Sequence, residues 1–309
     1  MPKDVDVAII GGGIAGMTAA LTAARKGWST LVLAGGVPGG QLVSIEKIEG
    51  VPGFPDGVPG YDLGPMTQEQ AVAAGAEIVA GECRAIEAAG ARWLLKADEE
   101  IAARAVIVAT GASFAKLGVD GEARLAGKGV SECASCDAPL LRNKSAIVVG
   151  GGDSAMQEAL TLAEHLSKVV LLERGDDLGG QASYRERLRA NSKIEVRTRA
   201  TVTAILGENA VSQARVKDLA TGTETDVPTA AVFVFIGLVP NAALVRDLLR
   251  LDASGRIMVD AAMRTSAPGI CAAGNVRQFS AHRAAAAMGD GATAALAVDR
   301  YLAIGDWAD

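Results

Sequence analysis

Aromatic side chains make up only 4% of the 309 residues, and histidine occurs twice. So few rings leave little of the stacking platform that single-stranded nucleic acid needs. There is no block of basic residues either, and the formal net charge is −6. Phosphate backbones and anionic membrane surfaces are therefore poor partners. No apolar run is long enough to span a bilayer. The chain begins Met1-Pro2-Lys3-Asp4-Val5-Asp6 and passes straight into an apolar run, without a signal-peptide pattern. These absences lead us to expect a cytoplasmic protein with no membrane or nucleic-acid partner. Cysteine is sparse too, at Cys83, Cys133, Cys136 and Cys271. In a reducing compartment structural disulfides are rare, so the one close pair reads as redox or metal chemistry.

Alanine and glycine are plentiful, and half of the residues are apolar. That is enough for two domains, each with its own core. Residues 5–10 form a short apolar run ending at glycines. Residues 14–26 show helical spacing, and residues 30–33 read as a second strand. This strand–turn–helix–strand order starts a doubly wound parallel sheet. The order returns with strand 146–149, helix 154–166 and strand 168–172. Gly11 and Gly150 are 139 positions apart, as are Ala34 and Glu173 at the two second-strand ends. Gly39-Gly40-Gln41 and Gly179-Gly180-Gln181 are offset by 140. The pattern reads as an internal duplication of one nucleotide-binding fold.

Residues 106–111 form another buried strand entering a glycine turn, and residues 232–236 form its counterpart, ending at Gly237. A last short strand around Cys271 leads to the turn at Gly274, and residues 281–302 read as a long Ala-rich helix. The expected fold class is α/β with two Rossmann-like dinucleotide-binding domains, the second inserted into the first. The first domain would comprise 1–114 and 243–309, and the insert 115–242, with hinges at both crossings.

A Gly-x-Gly-x-x-Gly loop lets the backbone approach a pyrophosphate whose charge sits on a helix N-terminus. Gly11, Gly13 and Gly16 have that spacing between a strand and a helix. The acidic residue usual about 20 positions on is replaced by Ala34. The second loop carries Gly150, Gly152 and Ala155, followed by Asp153 and Ser154 at the start of its helix. Glu173 stands 21 residues past Gly152. A carboxylate there accepts hydrogen bonds from a ribose 2′-hydroxyl and repels a 2′-phosphate.

Cys133 and Cys136 have the spacing of a disulfide closed across a helical turn, and a helix N-terminus lowers thiol pKa. The rival reading is half a zinc site, which needs two more ligands. Neither His165 nor His282 has a ligand-like neighbour, and Cys83 and Cys271 stand alone as small core residues. No metal is expected. Asp137 follows the pair and is placed either to donate a proton to a departing thiolate or to cap a helix.

Together these motifs resemble the low-molecular-weight thioredoxin reductases along nearly the whole chain. The matching segments are Gly-Gly-Gly-Ile-Ala-Gly at 11–16, Gly-Gly-Gln-Leu at 39–42, Val-Pro-Gly-Phe at 51–54 and Ala-Thr-Gly-Ala at 109–112. Further on come Cys-Ala-Ser-Cys-Asp at 133–137, Arg-Asn-Lys at 142–144 leading into Gly-Gly-Gly-Asp-Ser-Ala at 150–155, Ile-Gly-Leu-Val-Pro-Asn at 236–241 and Ala-Ala-Gly at 272–274. The resemblance implies FAD in the first domain, a nicotinamide site in the second, a homodimer, and a dithiol serving thioredoxin or a small disulfide. It implies that Cys136 is the sulfur nearer the flavin, Cys133 the sulfur that exchanges with the partner, and Asp137 the acid. For the flavin it implies roles for Gly11, Gly13, Gly16, Gly40, Gln41, Thr110, Gly111, Gly274, Asn275, His282, Arg283 and Ala284. For the second nucleotide it implies Gly150, Gly152, Asp153, Ser154, Glu173 and Arg174. The family's inserted domain rotates, consistent with two hinges.

The departures set an atypical pattern. NADPH-using members carry His-Arg-Arg where this chain has Glu173-Arg174-Gly175. One arginine beside a carboxylate is a poor clamp for a 2′-phosphate, so NADPH is disfavoured and NADH is the conservative expectation. Residues 173–181 also look like the segment that follows a flavin loop, so a second flavin or a non-nicotinamide donor is the alternative. The family's Gly-Asp turn is Gly274-Asn275 here, and its Arg-Gln-Ala is His282-Arg283-Ala284. A dithiol oxidase that delivers electrons to oxygen is the other alternative, motivated by the weakened nicotinamide site.

Overall fold

The computed structural model describes residues 1–36 and 39–307. It divides into two compact units, residues 1–113 with 239–309 and residues 114–238. Both are α/β. In the first, β1 (Lys3–Ile10) runs into α1 (Ile14–Arg25) and β2 (Thr30–Leu33), then α2 (Gly60–Ala73) and β3 (Glu77–Val79). Strands β4 (Ala85–Ala89), β5 (Arg92–Lys96) and β6 (Ile101–Val108) follow. The second half of β1 and nearly all of β2 are apolar and buried, as suits a parallel sheet covered on both faces. The order is β3-β2-β1-β6-β5-β4, with β4, β5 and β6 joined antiparallel.

The chain crosses between units in β7 (Ala112–Phe114). The second unit contains β8 (Val130–Ser131), α3 (Ala134–Asp137), β9 (Ser145–Val149), α4 (Asp153–His165), β10 (Lys168–Leu172) and α5 (Ala182–Ala190). β11 (Ile194–Arg197) completes one edge of a parallel sheet ordered β11-β10-β9-β15-β8, in which β15 spans Ala231–Val234. β12 (Ala200–Leu206), β13 (Gln213–Asp218) and β14 (Glu224–Pro228) form a separate antiparallel sheet, and β15 (Ala231–Val234) returns to the parallel one. Phe233, Met156, Leu162 and Leu171 fill the core of the unit.

The return crossing is β16 (Leu238–Pro240), which pairs with β7. Residues 239–242 belong to the first unit, so the insert is slightly shorter than residues 115–242. Asn241 shows why. Its backbone N–H donates to Gly111 O at 3.0 Å, and its side-chain amide donates to Thr110 O at 3.0 Å. β17 (Ile270–Ala272) then pairs with β6, and α6 (Ala284–Ile304) packs on α1. α6 starts three residues later than helical periodicity suggests. His282 sits at φ 53°, in the left-handed region, and a helix cannot pass through that conformation.

Candidate functional site: two glycine loops and a disulfide

The first loop is built by close backbone approach. Gly11 has φ 117°, open to glycine and strained for any other residue. A Cβ on Gly16 would lie 2.0 Å from Gly11 O, so α1 rests directly on the loop. A Cβ on Gly13 would meet nothing within 4 Å. α1 has no acidic residue in its first turn and no side-chain cap at Gly13. Its N–H groups and positive dipole end are thus left for an anion. Gly40 lies over the same loop, where its Cβ would be 3.1 Å from Gly13 Cα.

The far end of this unit gathers several expected residues. Gln41 donates from Nε2 to Ala112 O at 2.7 Å and accepts at Oε1 from Asn275 Nδ2 at 3.3 Å. Asn275 Oδ1 accepts from Ser280 Oγ at 3.0 Å and lies 3.3 Å from His282 Nδ1. Burial, with Arg256 close by, holds the His282 imidazole below its ordinary pKa. Arg283 caps α6 by its backbone, and Ala284 is the first helical residue. Thr110 Oγ1 donates to Asn241 O at 2.8 Å, and Gly111 turns the chain at φ 69°.

Sequence reasoning missed the device that holds Gly274. Its N–H donates to Asp290 Oδ2 at 3.1 Å. Asp290 also receives Arg277 Nε at 2.8 Å and Nη2 at 2.7 Å, and the pair is largely buried. No motif signalled it, because the pair forms only where the turn meets the middle of α6.

The second loop repeats the first. Gly150 has φ 131°, and Gly152 caps α4 at φ −84°, ψ 179°, matching Gly13 at φ −76°, ψ 178°. Gly39 N donates to Gly12 O at 2.9 Å, and Gly179 N donates to Gly151 O at 2.9 Å. The duplication therefore extends to the loop that covers each helix start. The copies differ in charge. Glu173 Oε1 accepts the Gly175 N–H at 2.7 Å, and Oε2 would lie 2.4 Å from a Cβ on Gly151. Asp153 accepts from Gln181 N at 2.6 Å and Gln181 Nε2 at 3.2 Å. Ser154 and Arg174 are exposed.

Cys133 and Cys136 are joined, with an S–S distance of 2.02 Å. Cys133 caps α3, and its sulfur accepts the Cys136 N–H at 3.2 Å. Cys133 is half-buried and Cys136 exposed. Asp137 ends α3 and stands at the N-cap position of the short 3-10 helix that follows, without a side-chain capping bond. Cys83 and Cys271 are unbridged. Burial pushes the Cys83 thiol up to about 11 and raises the Cys271 thiol as well. No group of three or more His, Cys, Asp or Glu able to hold a metal ion occurs among the described residues, nor does a helix long and apolar enough to cross a membrane.

The model of the pyridine nucleotide-disulphide oxidoreductase family matches residues 5–291. Thioredoxin reductase of Treponema pallidum (strain Nichols) is 39% identical over 303 residues, covering 98% of each chain. That of Bacillus subtilis (strain 168) is 39% identical over 302 residues, covering 97% of this chain and 95% of its own. The crystal structure of Lactococcus lactis thioredoxin reductase in its FR conformation aligns at a TM-score of 0.94 with 37% identity. That match covers 96% of this chain and 99% of the other. Glycine loops, cysteine pair and full-length similarity agree, and the chain belongs to the pyridine nucleotide-disulphide oxidoreductases as a flavoenzyme of the low-molecular-weight thioredoxin reductase family.

Proposed function

We propose that this enzyme passes electrons from a dinucleotide donor through bound FAD to Cys133–Cys136, and from there to thioredoxin or a similar disulfide. The observation that carries the reading is the disulfide seated at the start of α3 in the unit that repeats the nucleotide loop. The first unit fits FAD. Its uncapped α1 terminus suits a pyrophosphate, the open space at Gly13 admits one, and Gly11 and Gly16 allow no side chain to intervene. FAD, when bound, supplies two-electron chemistry between a hydride donor and a disulfide.

The chain's own residues do the rest. Gly11, Gly13, Gly16 and Gly40 hold the pyrophosphate against α1. Gly274, Asn275, Gln41, Thr110 and Gly111 shape the opposite end of the cofactor. His282 and Arg283 lead into α6, which begins at Ala284 and whose dipole favours negative charge there. Two electrons and one proton from water open Cys133–Cys136 into a thiol and a thiolate. The Cys133 thiolate attacks the partner disulfide, one partner sulfur leaves with a proton held at Asp137, and Cys136 then displaces the second. Exposed Leu140, close after Asp137 in the chain, offers apolar surface to that partner. A cytoplasmic homodimer whose units turn about β7 and β16 completes the proposal.

For the donor, the Glu173 carboxylate beside Gly151 favours a dinucleotide with a free ribose 2′-hydroxyl, so NADH is preferred over NADPH. The matched bonds from Gly39 and Gly179 support a second reading, in which the second unit holds another flavin or the donor is not a nicotinamide. Anaerobic titration with NADH, NADPH and dithionite, together with a count of flavins per chain, separates these. Bleaching by NADH with one flavin supports the first reading. Bleaching by dithionite alone, or two flavins per chain, supports the second. Stoichiometric peroxide from an added dithiol would turn the proposal into an oxidase.

A further inference from the structure

α4 buries Ala155, Met156, Ala159, Leu162 and Ala163 against the second sheet, and among them sits Glu158, only 7% exposed. A carboxylate in such a core is costly unless it is bonded. Glu158 Oε2 accepts the backbone N–H of Ala134 at 3.1 Å. Ala134 is the first residue of α3, is fully buried and directly follows Cys133. An acid on the core side of the disulfide loop is thus bonded to the peptide group adjoining one redox sulfur, on the side away from solvent.

We propose that Glu158 is a positioning residue for the Cys133–Cys136 couple, and that its buried charge makes the dithiol more strongly reducing. Opening the disulfide takes two electrons from the reductant. The negative charge delivered to the sulfurs stays there until protons from water or Asp137 neutralise it. A carboxylate nearby in a poorly screened environment disfavours that charge. The reduced pair is raised in free energy relative to the disulfide, so it yields its electrons more readily to an acceptor disulfide. The inference rests on the redox reading of the cysteine pair given above.

The test equilibrates the full-length flavoprotein, wild type and Glu158→Gln, with reduced and oxidised dithiothreitol at a series of ratios. Acid quenching, alkylation and mass analysis then count the Cys133–Cys136 peptide in each state. Glutamine keeps an oxygen to accept from Ala134 and removes the charge. The expected result is a shift of Glu158→Gln toward the dithiol by about tenfold in equilibrium constant, equivalent to about 30 mV for a two-electron couple. Stronger thiolate absorbance in the reduced variant at neutral pH accompanies it. Coincident curves for the two proteins overturn the inference. If Glu158→Gln does not fold, Glu158→Asp and Glu158→Ala carry the test. A wild-type ratio in the Asp variant with a shifted ratio in the Ala variant supports the charge role, and equal ratios refute it. A pair that fails to interconvert in wild type would instead remove the redox reading itself.

Discussion

Glu173 Oε1 lies 2.7 Å from the backbone nitrogen of Gly175, a bond that turns the carboxylate back over the second glycine loop. One oxygen is thereby fixed by the chain, and the other lies against Gly151. Under the proposed donor reading, this arrangement would accept a ribose hydroxyl and set a negative charge where a 2′-phosphate would fall. Replacing Glu173 with Ser should raise the KM for NADH about tenfold, the worth of a hydrogen bond to a charged group. The NADPH value should change little or fall. Steady-state kinetics with both donors checks the direction, and an unchanged NADH value would remove Glu173 from the site.

The third position of each loop gives a second prediction. A Cβ on Gly16 would stand 2.0 Å from Gly11 O, whereas Ala155 already occupies the corresponding place in the second unit. Gly16→Ala should cost about 1–3 kcal/mol through overpacking and should release flavin. Ala155→Gly should keep flavin bound. Flavin absorbance after gel filtration and thermal melts of both variants decide it.

How much of this was legible in the sequence follows from range. Strands 30–33 and 168–172, and the helices beginning near Ile14 and Asp153, are local patterns that apolar periodicity and glycines set unaided. The antiparallel strands within 85–96 and 200–228 carry weaker local signals. The polar link between Gln41 and Asn275 requires segments more than two hundred residues apart to meet. Nothing local in the sequence says that Ala134 will present its N–H to Glu158. α6 starts at Ala284, later than periodicity suggests, because the positive φ at Phe279 and His282 is a property of the packed turn.

Asp290 receives both Arg277 and the Gly274 N–H, with little solvent contact. Asp290→Ala leaves a guanidinium buried without its counter-charge and should cost about 3–5 kcal/mol. Urea denaturation of the flavin-bound protein reads the loss. A change below about 1 kcal/mol would show that the pair is not a structural clamp.

His282 supplies a pH dependence. Its folded pKa is lowered by burial and by Arg256, so the unfolded chain binds the proton more readily. The stability it contributes is therefore whole above the ordinary histidine value of about 6.5 and is lost as pH falls through the lower folded value. Between neutral and mildly acidic pH, wild type should lose more stability than His282→Gln. Parallel melting curves for the two proteins would contradict this.

After reduction, iodoacetamide at mildly alkaline pH should label Cys133 and Cys136 and spare Cys83 and Cys271. Burial keeps the Cys83 thiol protonated, with its pKa at about 11, and also raises that of Cys271. Peptide mass analysis reads the pattern, and rapid labelling of Cys83 would overturn it.

The most direct test asks whether the disulfide and a bound flavin share one pool of electrons. Anaerobic dithionite titration of wild type should consume twice the electrons per chain that a Cys136→Ser variant consumes, with the flavin spectrum perturbed by the state of the cysteines. Equal consumption by the two proteins would contradict electron transfer between the flavin and Cys133–Cys136.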